Sequence, residues 1–234
     1  MTETPRQLFT TVTEDERLVL SVEPLSVPEP ADDEVVVRIE AAPINPSDLG
    51  LLLAPVDMDT VRRETIDGSP ALVGDLRPGM ARMSASRMGK KLPAGNEGAG
   101  TVVAAGASDQ AQALRGKTVT LVGGMMYRTH RVMKVRDVIP LPEGATAAEG
   151  ASLFVNPMTV QGFLNTMRRE GHTDLVHTAA ASNLGQMLAK LCLKEEVPLV
   201  AIVRKDEQRA LLAELGLTHI VDSSQASFMS DLVE

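Results

Sequence analysis

The sequence predicts a two-part chain, α/β in class and α+β overall: a β-rich N-terminal part followed by a small parallel sheet wrapped in helices. Two observations carry this expectation. Up to about Gly150, β-branched runs alternate with turn residues, and most of the 14 prolines of the 234-residue chain fall there. From Thr173 onward the apolar period switches between strand and helix, in the order strand, helix, strand, helix, strand, which requires parallel strands joined by right-handed crossovers.

The elements follow in chain order. Val35 to Glu40 (VVVRIE), Gly100 to Ala105 (GTVVAA) and Lys117 to Val122 (KTVTLV) read as strands, each bounded by acidic, proline or glycine residues. Met125 to Val132 (MMYRTHRV) reads as a further strand. Thr146 to Ser152 and Thr159 to Met167 read as helical, with a break at Gly171, so the boundary is expected near residue 150: a first domain over 1–150 and a second over 151–234. Asp174 to Ala180 is then a short strand. Asn183 to Lys194 is a helix with Leu184, Met187, Leu188 and Leu191 on one face. Leu199 to Val203 is a second strand, and Asp206 to Leu215 a helix with Asp206 as its N-cap and Gly216 at C′. Thr218 to Val221 is a third strand and Gln225 to Glu234 the opening of another helix.

Composition narrows the function. Twenty-three basic against 31 acidic residues give a net charge of −8 with no long basic run, so no nucleic-acid footprint is expected. Four Phe, one Tyr and no Trp are too few for a stacking platform. The single cysteine, Cys192, excludes internal disulfides and a cysteine-rich zinc site, and suits a reducing compartment. Met1 to Thr10 has no apolar core of a signal peptide, and no run of 18 apolar residues occurs, so a cytoplasmic protein with no membrane partner is expected.

The chemistry concentrates at two places in the second part. The strand-to-helix turn Thr178-Ala179-Ala180-Ala181-Ser182-Asn183-Leu184-Gly185 is small and polar throughout, as a diphosphate needs if backbone N–H groups and a helix N-terminus are to approach it. Its glycine spacing falls on Ala179, Ser182 and Gly185, so only one glycine remains, and a tight turn of any α/β domain has the same composition. About twenty residues on, an NAD site places an acid for the ribose 2′-OH, whereas this strand ends Val203-Arg204-Lys205. Two cations there suit a 2′-phosphate, or else form a solvated loop. Elsewhere, His130 and His172 lack a nearby nucleophile or second ligand. His177 reads as a packed strand residue and Cys192 as a buried thiol.

Ala41 to Leu49 (AAPINPSDL), Gly95 to Gly106 (GNEGAGTVVAAG), Phe154 to Thr159 (FVNPMT) and the turn through Arg204, in this order, resemble the medium-chain dehydrogenase/reductase superfamily. They resemble specifically its zinc-free quinone oxidoreductase and enoyl thioester reductase branches. The resemblance implies an N-terminal GroES-like β domain, a Rossmann-type dinucleotide-binding domain and an active site in the cleft between them. Where zinc enzymes of the superfamily place metal ligands, this chain has Asn45, Asn96 and Asn156, so no metal is expected, and Glu97 reads as a buried hydrogen-bonding carboxylate.

The family further implies NADPH as cofactor and hydride transfer to a quinone or other α,β-unsaturated carbonyl, a small-molecule electrophile, with a homodimer as assembly. Asn45 is implied as a donor to the substrate oxygen, with a turn cap as its other reading. Asn156 and Thr159 are implied near the nicotinamide, and Ala179, Ala180, Ser182, Asn183, Gly185, Arg204 and Lys205 at the rest of the cofactor. The enoyl thioester branch carries a tyrosine proton donor shortly after NPSD; Leu51 to Val56 (LLLAPV) has none. The sole tyrosine, Tyr127, is the remaining candidate donor, or a buried residue with a bonded hydroxyl. Between Asp57 and Leu92 the chain departs from simple quinone reductases, and Arg77 to Lys91 carries five cations that suit an anionic substrate or a solvated loop. A doubly wound domain has strand order 3-2-1-4-5-6. These residues supply strands 1 to 3, an incomplete Rossmann-type sheet, so a non-catalytic nucleotide-binding or interaction module is the alternative reading.

Overall fold

A computed structural model describes residues 4–233, and Glu234, the last residue of the expected final helix, lies outside them. The chain divides into two compact units between Phe154 and Val155.

The first unit is two five-stranded antiparallel sheets. Its strands are β1 (Arg6–Val12), β2 (Arg17–Pro24), β3 (Glu34–Ala41), β4 (Arg62–Ile66), β5 (Ser69–Asp75), β6 (Lys91–Pro93), β7 (Gly98–Ala105), β8 (Thr118–Leu121), β9 (His130–Lys134) and β10 (Val138–Pro140). One sheet runs β4-β5-β2-β1-β6 and the other β10-β8-β7-β3-β9. Short helices α1 (Pro46–Leu52), α2 (Met80–Met83), α3 (Asp109–Gln112) and α4 (Ala147–Gly150) close the connections.

In β3, which pairs with β7 on one edge and β9 on the other, the consecutive valines 35, 36 and 37 are all buried, so both faces of the strand are covered there. Val35 and Val37 pack with Val102, Val119, Leu121 and Met133 as the core of that sheet. The helix α4 is fastened by a capping box: the Thr146 N–H donates to Glu149 Oε2 (2.8 Å) and the Glu149 N–H to Thr146 Oγ1 (3.3 Å). The Thr120 hydroxyl then donates to the Gly150 carbonyl (2.8 Å), tying the helix to β8.

The stretch from Asp57 to Leu92 is more structured than an inserted loop. It supplies β4, β5, α2 and most of β6, and four of the five cations of Arg77 to Lys91 are bonded within the unit. Arg77 donates to the Ala54 carbonyl, Arg87 to Thr10 Oγ1, Lys90 to the Ser86 carbonyl, and Lys91 pairs with Glu23 at 2.8 Å.

The second unit contains α5 (Val155–Arg169), β11 (Leu175–His177), α6 (Asn183–Lys194), β12 (Leu199–Val203), α7 (Asp206–Glu214), β13 (Ile220–Asp222) and α8 (Phe228–Asp231). The strands pair parallel in the order β11-β12-β13. On α5 the residues Val160, Leu164 and Met167 are buried, spacings of four and three that make one stripe. The most buried face of α6 is Gly185, Leu188, Ala189 and Cys192; Leu184, Met187 and Leu191, expected at its centre, flank it. Burial raises the Cys192 thiol pKa, which keeps it protonated and inert.

Several expected boundaries move: the first strand covers only Leu175–His177 of the expected Asp174 to Ala180, and the helix expected from Thr159 starts at Val155. Asp206 is the first residue of α7 and Lys205 its N-cap, with no side-chain hydrogen bond, so Asp206 acts through its charge at the helix start. The third strand begins at Ile220, not Thr218. The final helix is a single turn from Phe228, preceded by a turn in which Asp222 Oδ1 accepts from the Ser224 N–H and Ser224 hydroxyl, both at 2.8 Å.

The His177 ring lies 5.9 Å from that of Phe163, and its buried Nε2 has no hydrogen-bond partner. Burial lowers its pKa from the ordinary 6.5. The unfolded chain therefore takes up a proton that the folded chain refuses, and stability, whole above about pH 6.5, falls as the pH drops below it. Melting followed by circular dichroism at about pH 7.5 and about pH 5.5 is expected to show the loss. His177→Leu is expected to flatten that acid limb, leaving the share of His130, whose pKa burial also lowers.

Candidate functional site

In the first unit the sequence brings Asn45, Glu97 and Tyr127 to one place. Pro46 at the first position of α1 fixes φ where no N–H is needed, and Asn45 precedes it as N-cap in extended conformation. The Asn45 N–H donates to Asp48 Oδ2 (2.9 Å). The buried Asn45 side chain does more than cap: its Nδ2 donates to Glu97 Oε1 at 2.9 Å. Glu97, fully buried, also accepts the Phe154 N–H on Oε2 at 3.0 Å. Asn96 turns aside, donating from Nδ2 to Ser47 Oγ (2.8 Å).

Tyr127 corrects the expectation of a strand at Met125 to Val132, because β9 starts only at His130 and Tyr127 lies in the preceding loop. Its hydroxyl donates to the Pro43 carbonyl at 2.9 Å. Burial first, then the Asp48 and Glu97 carboxylates, raise its pKa well above the ordinary 10, so the phenol stays neutral. Gly95 permits the approach: at φ +95°, a Cβ there would stand 2.5 Å from the Tyr127 nitrogen. Tyr127 therefore braces the Pro43 to Asn45 segment. Among the described residues no group of three or more His, Cys, Asp or Glu is arranged to hold a metal ion.

In the second unit a cavity of about 430 Å³ opens at the C-terminal ends of the parallel strands, lined by Thr178, Ala179, Val203, Arg204, Ser223 and Phe228 among others. It unites two of the expected residues, Ala179 and Arg204, and adds Gln208, Ser223 and Phe228, which the sequence reading missed. Gln208 belongs there because its Oε1 accepts the Arg204 N–H (3.0 Å), an i to i+4 tie that holds the strand end to α7.

The other expected residues divide by role. Ala180 is core, and Gly185 packs against it, since a Cβ on Gly185 would lie 2.2 Å from the Ala180 carbonyl oxygen. Ser182 caps α6, its Oγ accepting from the Gly185 N–H (3.1 Å). The first-turn N–H groups of Asn183 and Leu184 have no intrahelical acceptor, as at any helix start. Lys205 is exposed beside Glu207 (3.5 Å). Thr159 donates to the Val155 carbonyl (2.7 Å) and lines a separate cavity with Phe163 and His172, while Asn156 is in the first turn of α5.

No family model matches the chain. It is 26% identical to the mitochondrial enoyl-[acyl-carrier-protein] reductase of Xenopus tropicalis over 216 residues, 88% of this chain and 53% of that protein. It is also 26% identical to the rat synaptic vesicle membrane protein VAT-1 homolog over 219 residues, 93% of this chain and 47% of that protein. The chain thus spans about half the length of the curated relatives it matches. Among solved structures, CurK enoyl reductase superposes with a TM-score of 0.71 at 21% identity, over 99% of this chain and 63% of that one. A Pseudomonas syringae quinone oxidoreductase gives 0.65 at 19% over 98% and 62%, and a mycobacterial protein complexed with NADPH gives 0.66 at 17% over 97% and 60%. These likenesses are to enoyl reductases and a quinone oxidoreductase, and the chain shares the fold of the solved ones.

Two substitutions test this geometry. Ala179 holds φ +52°, where an alanine is strained by about 1 kcal/mol, so Ala179→Gly is expected to raise the unfolding free energy by about that amount in a urea titration. Glu97→Ala leaves the Asn45 amide and Phe154 N–H without their acceptor, and is expected to cost about 2–5 kcal/mol in the same titration.

Proposed function

We propose that the chain carries the nucleotide-binding and substrate-polarising residues of an NADPH-dependent reductase that delivers hydride to a quinone or related enone without a metal ion. The observation that carries this reading is the cavity of the second unit. It joins Arg204, the Ser223 hydroxyl and the Ala179 turn, and none of its lining residues is a carboxylate. A ribose 2′-OH calls for an acidic partner, and a 2′-phosphate for a cation such as Arg204, so the donor set fits NADPH. The α6 N-terminus behind the Ala179 turn suits the diphosphate. When bound, the nicotinamide supplies the hydride.

In the first unit, Asn45 is the proposed donor to the substrate oxygen. An amide nitrogen carries two hydrogens, and one is given to Glu97, which fixes the plane of the amide and leaves the other for an oxygen on which negative charge grows. Tyr127 is assigned to holding the Pro43 to Asn45 segment, its hydroxyl proton being committed to the Pro43 carbonyl. The reading also takes the protein as cytoplasmic and its assembly as a homodimer.

Purified chain mixed with NADPH and a panel of quinones and enoyl thioesters is expected to lose absorbance at 340 nm. Neither loss of absorbance nor an NADPH-induced thermal shift would overturn the reading and leave the non-catalytic alternative. Arg204→Asp is expected to weaken NADPH by about ten- to a hundredfold while NADH changes far less, measured by fluorescence titration. Equal weakening would remove the 2′-phosphate assignment.

A further inference from the structure

The first unit contains a second concentration of cations that the proposed reduction does not use. A cavity of about 200 Å³ lies between the loop after β2 and the start of β9, walled by Leu25, Pro28 and Met125 and lined by Arg128, His130 and Arg131. We propose that this cavity binds a compact oxyanion, a phosphate ion or the head group of a phosphate monoester, through the guanidinium groups of Arg128 and Arg131.

Neither arginine has an ion-pair partner among the described residues. Arg131 Nη1 donates only to neutral acceptors, the Gly123 carbonyl (3.3 Å) and Met126 Sδ (3.4 Å). Arg128 Nη2 donates to Gln7 Oε1, while its buried Nε and the buried Gln7 Nε2 have no partner. The buried Arg128 Nε is costly unless an acceptor reaches it. Arg128 with that idle donor and Arg131 with only neutral acceptors are both half-buried in the lining of one cavity, and two guanidinium forks suit phosphate oxygens.

The surrounding charges do not neutralise them. Burial and then Arg128 lower the Arg131 pKa, against a smaller raising effect of Asp137. Burial first and then Arg38 lower that of His130, and the carboxylate beside Arg38, Glu40, is bonded to it at 2.6 Å. In a chain of net charge −8 this local excess of cations is not a background feature. The apolar walls and the small volume admit a compact group and not an extended polyanion.

Calorimetric titration of the whole chain with inorganic phosphate, at ionic strength held constant with chloride, tests the site. Binding is expected in the parent chain and in Arg204→Asp, and to weaken at least about tenfold in Arg131→Gln and in Arg128→Gln, each checked for folding by circular dichroism. Glycerol 3-phosphate distinguishes the sources: comparable binding supports a monoester head group, and binding of inorganic phosphate alone supports the free ion. Should the glutamine variants not fold, phenylglyoxal labelling of the parent chain gives an independent reading, with phosphate expected to protect Arg128 and Arg131 but not the exposed Arg63. Undiminished binding in folded Arg131→Gln, absence of binding in the parent chain, or labelling indifferent to phosphate would each overturn the proposal. Loss of binding in Arg204→Asp alone would also overturn it, by assigning the phosphate to the nucleotide cavity.

Discussion

The buried Glu97 carboxylate is the constraint on which the candidate site of the first unit depends. A carboxylate without water is tolerated only if its oxygens are occupied by donors, and here Asn45 Nδ2 and the Phe154 N–H occupy one oxygen each. Those donors come from positions 52 and 57 residues away, so satisfying one side chain fixes three distant segments together. The orientation of the Asn45 amide follows from this arrangement, as does the anchoring of the last residue of the unit. Tyr127 then fixes the same segment from its other end through Pro43. Asn45 is thus held at both its backbone and its side chain, the condition under which a hydrogen-bond donor is preorganised and needs no reorientation.

The second unit meets a different constraint, the close approach of a helix to a strand at the turn after β11. Gly185 supplies the missing side chain that lets α6 lie against Ala180. Ala179 occupies a left-handed position that glycine takes without strain. Of the three positions of the glycine spacing the chain keeps Gly185 and replaces two, Ala179 and Ser182, and the replacement at Ala179 is stored as local strain. Strain of this kind persists only where the neighbouring structure over-determines it. Here the Ala180 N–H on the Ile202 carbonyl (3.3 Å) and the Ser182 N–H on the Ala179 carbonyl (2.9 Å) hold either side.

The parallel half of the fold was readable because its strands and helices have different apolar periods and its strands are continuously apolar. The antiparallel half was less so. Strands β1, β2, β4, β5 and β6 interleave Thr, Arg, Glu, Ser and Lys with their apolar residues, which dilutes the pattern. One signal was present and passed over: Asp67-Gly68, flanked by Ile66 and Ser69, is a two-residue hairpin turn with φ of 49° and 78°. Residue types named Asn45, Ala179 and Arg204, but their partners lie far off in sequence or belong to a different element. Glu97 as the holder of Asn45, and Ser223 and Phe228 as walls around Arg204, follow from strand pairing that spacing alone does not encode.

Electrostatics links the two cation-bearing cavities. A chain with net charge −8 repels anions at long range, which weighs against any phosphorylated ligand. At physiological ionic strength, however, charges separated by more than about 8 Å are largely screened, so an anion at a cavity mouth responds to the few groups that line it. Around Arg204 and around Arg128 and Arg131 those lining groups include no carboxylate. The acidic excess is therefore carried by other surfaces, and the two cavities are local inversions of the overall charge. Such an inversion favours ligands whose charge is compact enough to sit within a screening length of the arginines, and it discriminates against extended polyanions, whose remaining charges would meet the acidic surroundings.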